Sequence, residues 1–279
     1  IRDTYAASFK PSITYRPNRF VWLGTNAPFA AFAFTFKENQ HGIWNAHAYQ
    51  YEEGLATLIV EATEDTWRAS GLDQDDQAAT AAYMAELYKE ELGGHKILTN
   101  RSNWRAFPVI HCESWVHENV VLMGDAAHTA HFSIGSGTKL AMEDAIALFE
   151  AVEVDRNDIA GAPKRYEAAR RDEVDRIQHA ANVSLTWFET VERFWGMDPV
   201  QFNFSMLTRS KQITYENLSL RDPALVEEVR NWFATQAGVG AGVGAGVGAG
   251  IADSNKPPVP MFTPFQLRNM TLDNRVVVS

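Results

Sequence analysis

Apolar and polar residues alternate along the first hundred residues in the way that strands do. Within 32–36 the three phenylalanines fall on one side of an extended chain, while Ala33 and Thr35 fall on the other. Similar patterns, rich in aromatic and β-branched residues, run through 12–25, 41–51 and 55–61. Turn-forming residues separate these segments, so the pattern predicts a mainly antiparallel sheet of about four strands.

Helical periodicity dominates the rest of the chain. We predict helices at 63–69, 75–92, 138–152 and 163–195, a further helical region at 199–234, and short strands at 96–104, 105–111 and 120–123. In the longest helix, apolar residues from Val174 to Trp195 recur every three or four positions, a spacing that predicts a packed face. The predicted fold class is therefore α+β or α/β, with an antiparallel sheet followed by helices.

The segment 120–145 has the pattern with the clearest chemistry. A short strand, predicted to be buried, delivers Gly124 and Asp125 at its end. A loop with two glycines follows at 135–137, and a helix begins at Thr138. Asp125 can accept hydrogen bonds from sugar hydroxyls, and the glycines allow close approach to the backbone. Because the helix start adds free N–H groups and a positive dipole end, the pattern indicates a polyhydroxylated, partly anionic ligand.

Three other sites fit this segment less well. A phosphate-binding P-loop needs Lys before Ser or Thr, whereas Thr and Lys stand in the opposite order at 138–139. A serine nucleophile elbow needs one residue between the serine and each glycine, but Ser136 lies directly between two glycines. Asp125, His128 and His131 are spaced by three, yet a loop does not fix such a spacing for a metal. A tight turn before a core helix stays open as a structural alternative.

Composition narrows the function classes. The 279 residues carry 25 Lys and Arg against 35 Asp and Glu, a net charge of −10 that argues against binding to nucleic-acid backbones. The longest clearly apolar stretch, 27–36, is shorter than the roughly 20 residues that a bilayer requires. The single cysteine, Cys112, excludes an intramolecular disulfide and fits a cytoplasmic location. We expect no metal, no nucleic-acid partner and no membrane.

The composition changes abruptly near residue 238. Seven of the 18 glycines lie between Gly238 and Gly250, in alternation with Val and Ala. All seven occupy even positions, so the G-x-G-x-x-G spacing of a dinucleotide-binding loop does not occur there, and a flexible linker is the better interpretation. Because the chain opens on Ile1 and ends in an apolar run at Ser279, we expect a piece of a longer protein.

The GDAAH sequence at 124–128, followed by Gly-x-Gly and a helix, resembles the second flavin-binding motif of a known family. That family is the FAD-dependent aromatic hydroxylases of the para-hydroxybenzoate hydroxylase type. Over 124–145 the likeness is greater to the salicylyl-CoA 5-hydroxylase and 2-aminobenzoyl-CoA monooxygenase/reductase group. Residues 16–25 resemble the start of that group's substrate sheet, and 261–279 resemble the first strand of an Old Yellow Enzyme-like FMN barrel.

The resemblance implies cofactor-binding roles for five residues. Gly124 and Asp125 match the motif whose aspartate binds the ribitol of FAD. Gly137, Thr138 and Lys139 match the helix-start positions that face the pyrimidine end of the flavin ring. A helix N-terminus at that place would stabilise negative charge on the reduced ring.

Two residues are candidates for substrate binding. Many relatives have proline where Phe132 stands, so Phe132 either lines the active site or simply packs. His111 is the ionisable residue that we would test first, although a histidine near a strand end more often has an ordinary core or surface role. No catalytic residue is assigned.

The resemblance also implies a reaction. NAD(P)H reduces FAD, O2 forms a C4a-hydroperoxide, and its distal oxygen attacks the ring of an aromatic acyl-CoA. Two alternatives stay open: another flavin-dependent reductase or halogenase, or a non-catalytic fragment.

The resemblance divides the chain into three parts. We expect a partial monooxygenase at 1–237, a linker at 238–258, and the start of an FMN-binding barrel at 259–279. The family's first dinucleotide motif is missing from the sequence, so we expect this chain alone to be inactive. The oligomeric state is not assigned.

Overall fold

The computed structural model describes residues 1–236, 265–267 and 269–272. The chain divides into two compact units, Ile1–Arg193 and Phe194–Ser279. The first unit contains the sheet and the candidate site residues named above. Within the described residues, no helix has the length and hydropathy that a bilayer-spanning segment needs.

The first unit is built on a six-stranded sheet in which every pairing is antiparallel. Its strands are β1 (Pro11–Thr25), β2 (Ala33–Asn39), β3 (Gly42–Glu52), β4 (Leu55–Ala62), β5 (Ile97–Leu98) and β6 (Arg105–Cys112). The order across the sheet is β2-β3-β4-β1-β5, and β6 also pairs with β1. The predicted antiparallel sheet is confirmed by β1 to β4.

The 15-residue strand β1 joins the two sides of the sheet because it changes partners along its length. Residues 19–25 pair with β4, residues 11–15 and 19–20 pair with β6, and residues 24–25 pair with β5. The register with β6 shifts within 15–19, a stretch that contains Pro17, which has no N–H to donate to the ladder. One long strand therefore contributes side chains to both halves of the sheet.

The two faces of the sheet differ in character because side chains alternate along each strand. Val21, Leu23 and Trp44 lie on an apolar face that packs against Met84 and Tyr88. The opposite face, here called the mixed face, carries aromatic and polar residues on adjacent strands: Phe20, Trp22, Asn45, His47, Ile59 and Glu61. The first face forms an ordinary hydrophobic core, and the mixed face forms one wall of a large cavity.

Helices complete the first unit. They are α1 (Ala6–Phe9), α2 (Glu64–Ala69), α3 (Gln77–Leu87), α4 (Lys89–Leu92), α5 (Gly137–Val154) and α6 (Ala162–Glu189), with a small hairpin of β7 (Val116–His117) and β8 (Val120–Val121). Leu140 of α5 and Tyr166 of α6 belong to a second core that also contains Trp115. The predicted packed face of α6 is confirmed, since Val174 and Phe188 are both fully buried.

The remaining described elements are helices and one short strand pair. They are α7 (Glu192–Trp195), α8 (Pro199–Thr208), α9 (Tyr215–Arg221), α10 (Pro223–Gln236), β9 (Phe265–Leu267) and β10 (Met270–Leu272). The helical region predicted at 199–234 is therefore confirmed. The linker predicted at 238–258 lies outside the described residues, as does most of the tail predicted at 259–279.

The strand predicted at 96–104 is wrong in extent, because only Ile97 and Leu98 of this segment form a strand, β5. The residues after β5 make hydrogen bonds outside the sheet ladder instead. The Ser102 hydroxyl donates to the Trp22 carbonyl at 2.6 Å, and the Trp104 amide donates to the Gln74 carbonyl at 3.0 Å. These tertiary contacts hold 99–104 as an anchored loop.

Three further predictions need correction in extent. The helix predicted at 75–92 is divided at Tyr88 (φ −106°, ψ 25°), and the helix predicted at 163–195 is divided at Thr190 (φ −118°, ψ 28°). The buried strand predicted at 120–123 is reduced to the half-buried β8, which pairs with β7 rather than with the main sheet. The helix predicted at 138–152 is confirmed as α5.

Gly42 tests the packing between the β2–β3 turn and α2. Its φ is +131°, and a Cβ there would lie 2.3 Å from Thr66 Oγ1, whereas Gly54 has φ +73° with open space around it. We expect Gly42→Ala to lower the free energy of unfolding by about 3 kcal/mol and Gly54→Ala by about 1 kcal/mol, because only the first change adds a clash to backbone strain. Urea denaturation of both variants measures the difference, and equal losses would contradict the packing at Thr66.

Candidate functional site

A cavity of about 1530 Å³ lies between the mixed face of the sheet and the segment 123–141. Its lining includes Arg16, Arg19, Phe20, Trp22, Arg105, Phe107, Gly124, Asp125, Phe132, Gly135, Gly137 and Thr138. Small-molecule pockets usually enclose roughly 300–1,000 Å³. The cavity therefore has room for more than one ring system.

Gly124 allows the turn after β8 to lie directly against α5. Its φ is +52°, and a Cβ at this position would lie 3.0 Å from the Cβ of Ala141. The turn continues as the 3-10 helix Gly124–Ala126, which places Asp125 at the surface of the cavity. Within the described part of the chain, the Asp125 carboxylate has no ion-pair partner and is exposed. The carboxylate is therefore free to accept hydrogen bonds from a ligand.

Asp144 of α5 holds this turn in place from within the protein. One carboxylate oxygen accepts hydrogen bonds from the Gly124 amide at 2.9 Å and from His128 Nε2 at 2.8 Å. The other oxygen accepts from Arg170 Nε at 3.0 Å. Asp144 is fully buried, so its contacts tie the turn, α5 and α6 together without competition from water.

The ionisation of this network follows from its geometry. Burial by itself raises the pKa of Asp144, but the hydrogen bonds from His128, the Gly124 amide and Arg170 outweigh burial and hold the pKa below its ordinary value. An ionised carboxylate only accepts hydrogen bonds, so His128 Nε2 must carry the proton of their shared bond. The network is therefore a buried carboxylate that receives donors from three segments.

The N-terminus of α5 opens into the cavity. Gly137 and Thr138 line the cavity, and Ser136 at the N-cap position makes no side-chain capping hydrogen bond. The first turn contains no acidic residue, so nothing within that turn neutralises the positive end of the helix dipole. The first amide N–H groups of a helix lack intrahelical acceptors and are available to an electron-rich ligand.

Phe132 stands at the centre of an aromatic wall. Its ring centroid lies 5.0 Å from that of Phe20, 6.0 Å from that of Phe107 and 6.1 Å from that of Trp22. The half-buried ring also lines the cavity. Phe132 therefore both packs and presents a surface to the cavity, while its contact with substrate stays a prediction.

A buried polar cluster lies behind Phe132 on the mixed face. Asn18 Nδ2 donates to Glu61 Oε1 at 2.7 Å, and His47 Nε2 lies 2.7 Å from Asn45 Oδ1 and 3.6 Å from Glu61 Oε2. The His47 ring contacts Phe132 edge-on, with centroids 5.2 Å apart. This cluster joins three strands of the sheet and supports the aromatic wall from behind.

Two arginines at the cavity are bound by carboxylates of the protein. Arg16 makes a two-point contact with Glu189, with Nε 2.8 Å from Oε1, and the side-chain hydrogen bonds with Glu189 raise the pKa of Arg16. Arg19 donates to Glu64 Oε1 at 2.9 Å, and its guanidinium lies 5.5 Å from the ring centroid of Trp67. These pairs connect β1 to α6 and to α2.

Five of the predicted site residues lie together at the cavity: Gly124, Asp125, Phe132, Gly137 and Thr138. Lys139 and His111 are not among the lining residues in the described part of the chain. Lys139 pairs with Glu143, one turn further along α5. His111 lies in β6 with its Nε2 3.8 Å from Asp175 Oδ1 of α6. The roles predicted for Lys139 and His111 remain predictions that the cavity does not support.

Sequence reasoning missed Asp144 and Arg170, which hold the turn at Gly124. Asp144 lies four residues after Leu140 and four before Leu148, so it occupies an apolar position of α5. A charged residue at a core position was therefore the available signal. Within the residues that the structure describes, no group of His, Cys, Asp and Glu is arranged to hold a metal ion.

Comparisons with known proteins place this geometry in context. Residues 35–178 match the family model described as FAD binding domain. The chain is similar to salicyloyl-CoA 5-hydroxylase of a Streptomyces species, with 40% identity over 83% of this chain and 46% of the relative. It is also similar to 3-hydroxy-4-methyl-anthranilyl-[aryl-carrier protein] 5-monooxygenase of Streptosporangium sibiricum, with 37% identity over 77% of this chain and 56% of the relative. The chain thus spans about half the length of these relatives.

A solved structure shows the same fold. The tetrameric form of 2-methyl-3-hydroxypyridine-5-carboxylic acid oxygenase has a TM-score of 0.53 at 16% identity, covering 81% of this chain and 56% of that chain. This likeness concerns the fold alone. It confirms the predicted fold class of an antiparallel sheet with helices.

Asp144→Asn tests the buried network through its pH dependence. At pH 7 we expect the free energy of unfolding to fall by about 3 kcal/mol, because Arg170 and His128 lose a buried charged partner. The folded pKa of Asp144 is depressed, so its contribution is complete above the unfolded value of about 3.9 and disappears as pH falls through the folded pKa. The gap between wild type and variant should therefore shrink below about pH 4.

Glu150→Gln is the matched control, since Glu150 is exposed on the same helix. Denaturant unfolding at several pH values measures both variants. A loss at Asp144→Asn that stays constant down to acidic pH would contradict an ionised Asp144.

Proposed function

The chain belongs to the FAD-binding monooxygenase family, and on that premise we propose that it forms the flavin-ring and substrate side of an FAD-dependent aromatic hydroxylase. One observation carries the proposal: Asp125, the N-terminus of α5 and the aromatic wall around Phe132 all line one cavity. Each of these features suits one part of a flavin. Asp125 can accept hydrogen bonds from the ribityl chain, the helix N-terminus favours negative charge on the ring, and the aromatic wall offers a flat apolar surface.

The residues at the cavity fit the flavin end of FAD. The carboxylate of Asp125 can accept hydrogen bonds from ribityl hydroxyls. The amides of Gly137 and Thr138 can donate to the pyrimidine edge of the ring, where the helix dipole favours negative charge. A Cβ at Gly135 would meet nothing within 4 Å, so the loop leaves open space in front of the helix.

When bound, FAD supplies the redox chemistry that couples NAD(P)H and O2 to hydroxylation of a ring. The chain itself orients the aromatic substrate and excludes water. Phe20, Phe107 and Phe132 provide the apolar surface for both tasks. Because FAD carries the chemistry, no acid or base of this chain is assigned to the reaction.

We propose an aromatic acyl thioester as the substrate. The two curated relatives act, by name, on an aryl group carried by CoA and on one carried by an aryl-carrier protein. Both carriers present the acyl group as a thioester of phosphopantetheine. The volume of the cavity, larger than a usual small-molecule pocket, supports a ligand of this size beside the flavin ring.

The AMP half of FAD is assigned to residues outside this chain. No G-x-G-x-x-G spacing occurs in the 279 residues, and that spacing is the usual cradle for a pyrophosphate. We propose the corresponding organisation: a partial monooxygenase at 1–237, a linker at 238–258, and the start of an FMN-binding barrel at 259–279. A cytoplasmic location is part of the same proposal.

Asp125→Ala in the full-length protein tests the cofactor assignment. We expect FAD to bind at least about tenfold more weakly, because charge-assisted hydrogen bonds worth roughly 1.5–3 kcal/mol are lost. The fold should persist, since Asp125 is exposed. Flavin absorbance per protein after purification measures retention, with the exposed Asp172→Ala as the matched control. Equal flavin content in both variants would overturn the assignment.

Product analysis tests the reaction itself. The full-length protein, supplied with NAD(P)H, O2 and an aromatic acyl-CoA, should oxidise the reductant only when the acyl-CoA is present and should release a ring-hydroxylated acyl-CoA. Mass spectrometry should show one added oxygen atom that derives from 18O2. A reduced or halogenated product without added oxygen would instead support the flavin-dependent reductase or halogenase alternative.

A further inference from the structure

A second groove continues from the main cavity along the mixed face of the sheet. It encloses about 700 Å³ and shares Phe20, Trp22, Arg105, Phe107 and Phe132 with the main cavity. The aromatic wall around Phe132 thus stands at the boundary between the two spaces. A ligand that passes this boundary can place one end in the cavity and the other end in the groove.

The far side of the groove is formed by residues 99–103 of the anchored loop, which follows β5. Ser102 is buried and donates to the Trp22 carbonyl at 2.6 Å, and Asn103 Nδ2 donates to Asp75 Oδ1 at 2.9 Å. Arg101, which immediately precedes these anchors, has φ +52°, a backbone conformation that costs a non-glycine residue about 1 kcal/mol or more. The loop therefore holds an arginine in a strained conformation at the groove.

The charge of the groove is unusual for this protein. The chain has ten more acidic than basic residues, yet no Asp or Glu is among the groove's described lining residues. Arg16 and Arg19 of the adjoining cavity are bound by Glu189 and Glu64. Over the described residues, Arg101 and Arg105 form no ion pair with a carboxylate, and both are exposed. Two uncompensated guanidinium groups therefore line one groove.

The other walls of the groove are apolar and exposed. Trp22 is 47% exposed, Tyr51 is 61% exposed and Leu98 is 40% exposed. Guanidinium groups match phosphate geometry by two-point hydrogen bonding, and aromatic faces bind flat or aliphatic groups. Together the walls fit a ligand with an apolar stem and a phosphate.

We propose that Arg101 and Arg105 bind the phosphate of a phosphopantetheine thioester, whose aromatic acyl group lies in the main cavity. The pantetheine stem runs past Trp22 and Leu98, and Arg105, which lines both spaces, is nearest to the thioester end. This assignment rests on the proposed function, because it names the residues that recognise the carrier of the aromatic substrate. It is also independent of the flavin-binding residues.

The test measures ligand binding to the FAD-loaded full-length protein by calorimetry. We compare Arg101→Gln and Arg105→Gln with Arg176→Gln, which removes the same charge from an exposed position of α6. The probes are CoA, which carries phosphates, and pantetheine, which carries none. We expect each groove variant to weaken CoA binding about tenfold and to leave pantetheine binding unchanged, because a charge-assisted contact is lost. CoA binding should also weaken as salt increases.

The control variant should bind CoA as the wild type does. CoA affinity that is the same in all three variants would overturn the assignment if the variants also leave turnover of the carrier-protein thioester unchanged, and so would pantetheine binding as tight as CoA binding. Stronger effects of Arg101→Gln and Arg105→Gln on a free aromatic carboxylate than on CoA would also overturn it, because the arginines would then recognise the acid itself.

Two further arms separate the sources of the phosphopantetheine. Aryl-CoA turnover that is sensitive to both groove variants supports the free coenzyme, and sensitivity confined to the aryl thioester of a carrier protein supports the carrier. FAD content is measured in every variant and should stay at the wild-type level. Aryl-thioester hydroxylation that is indifferent to both arginines overturns this inference and leaves the proposed function intact. If the wild-type protein neither binds nor hydroxylates an aryl thioester, the proposed substrate class is overturned as well.

Discussion

The buried carboxylate of Asp144 accepts hydrogen bonds from the turn at Gly124, from His128 and from Arg170, and the geometry of the site depends on these contacts. A buried carboxylate is stable only when hydrogen bonds satisfy its lone pairs. Loss of any one donor would therefore leave part of the Asp144 charge unpaired in the core. The result is a fixed relation between α5, α6 and the turn that carries Asp125. The exposed Asp125 is therefore positioned by a buried charge that is not among the described lining residues of the cavity.

The two faces of the sheet differ in what they form: one packs into the hydrophobic core, and the other lines the cavity. One face is apolar and buries residues such as Trp44 against the helices, as expected for a core. The mixed face instead carries the His47–Glu61 cluster, with Phe132 packed in front of it. Asn18 bonds to Glu61 and Asn45 to His47 within the sheet, and Phe132 packs edge-on against the His47 ring of this cluster. A hydrogen-bonded sheet face suits the proposed role of orienting a ring.

Local patterns predicted the elements, and long-range contacts decided the rest. Alternation placed β1 to β4 correctly, and the glycine and aspartate at 124–125 located the cavity, because both signals are contained in short stretches of sequence. The ion pair of Arg16 could not be predicted from the sequence, because its partner Glu189 lies 173 positions away. The same holds for the strand predicted at 96–104, which stops at Leu98, while Ser102 donates to the distant Trp22 carbonyl. Such partners are chosen by the folded topology, and no local periodicity encodes them.

We propose above that Asp125 and the N-terminus of α5 together receive the flavin end of FAD. A crystal structure of the full-length protein with FAD tests this claim most directly. We expect a ribityl hydroxyl within about 2.6–3.2 Å of the Asp125 carboxylate, with the pyrimidine edge of the ring against the amides of Gly137 and Thr138. A flavin ring bound elsewhere, with Asp125 facing solvent or protein groups alone, would contradict it.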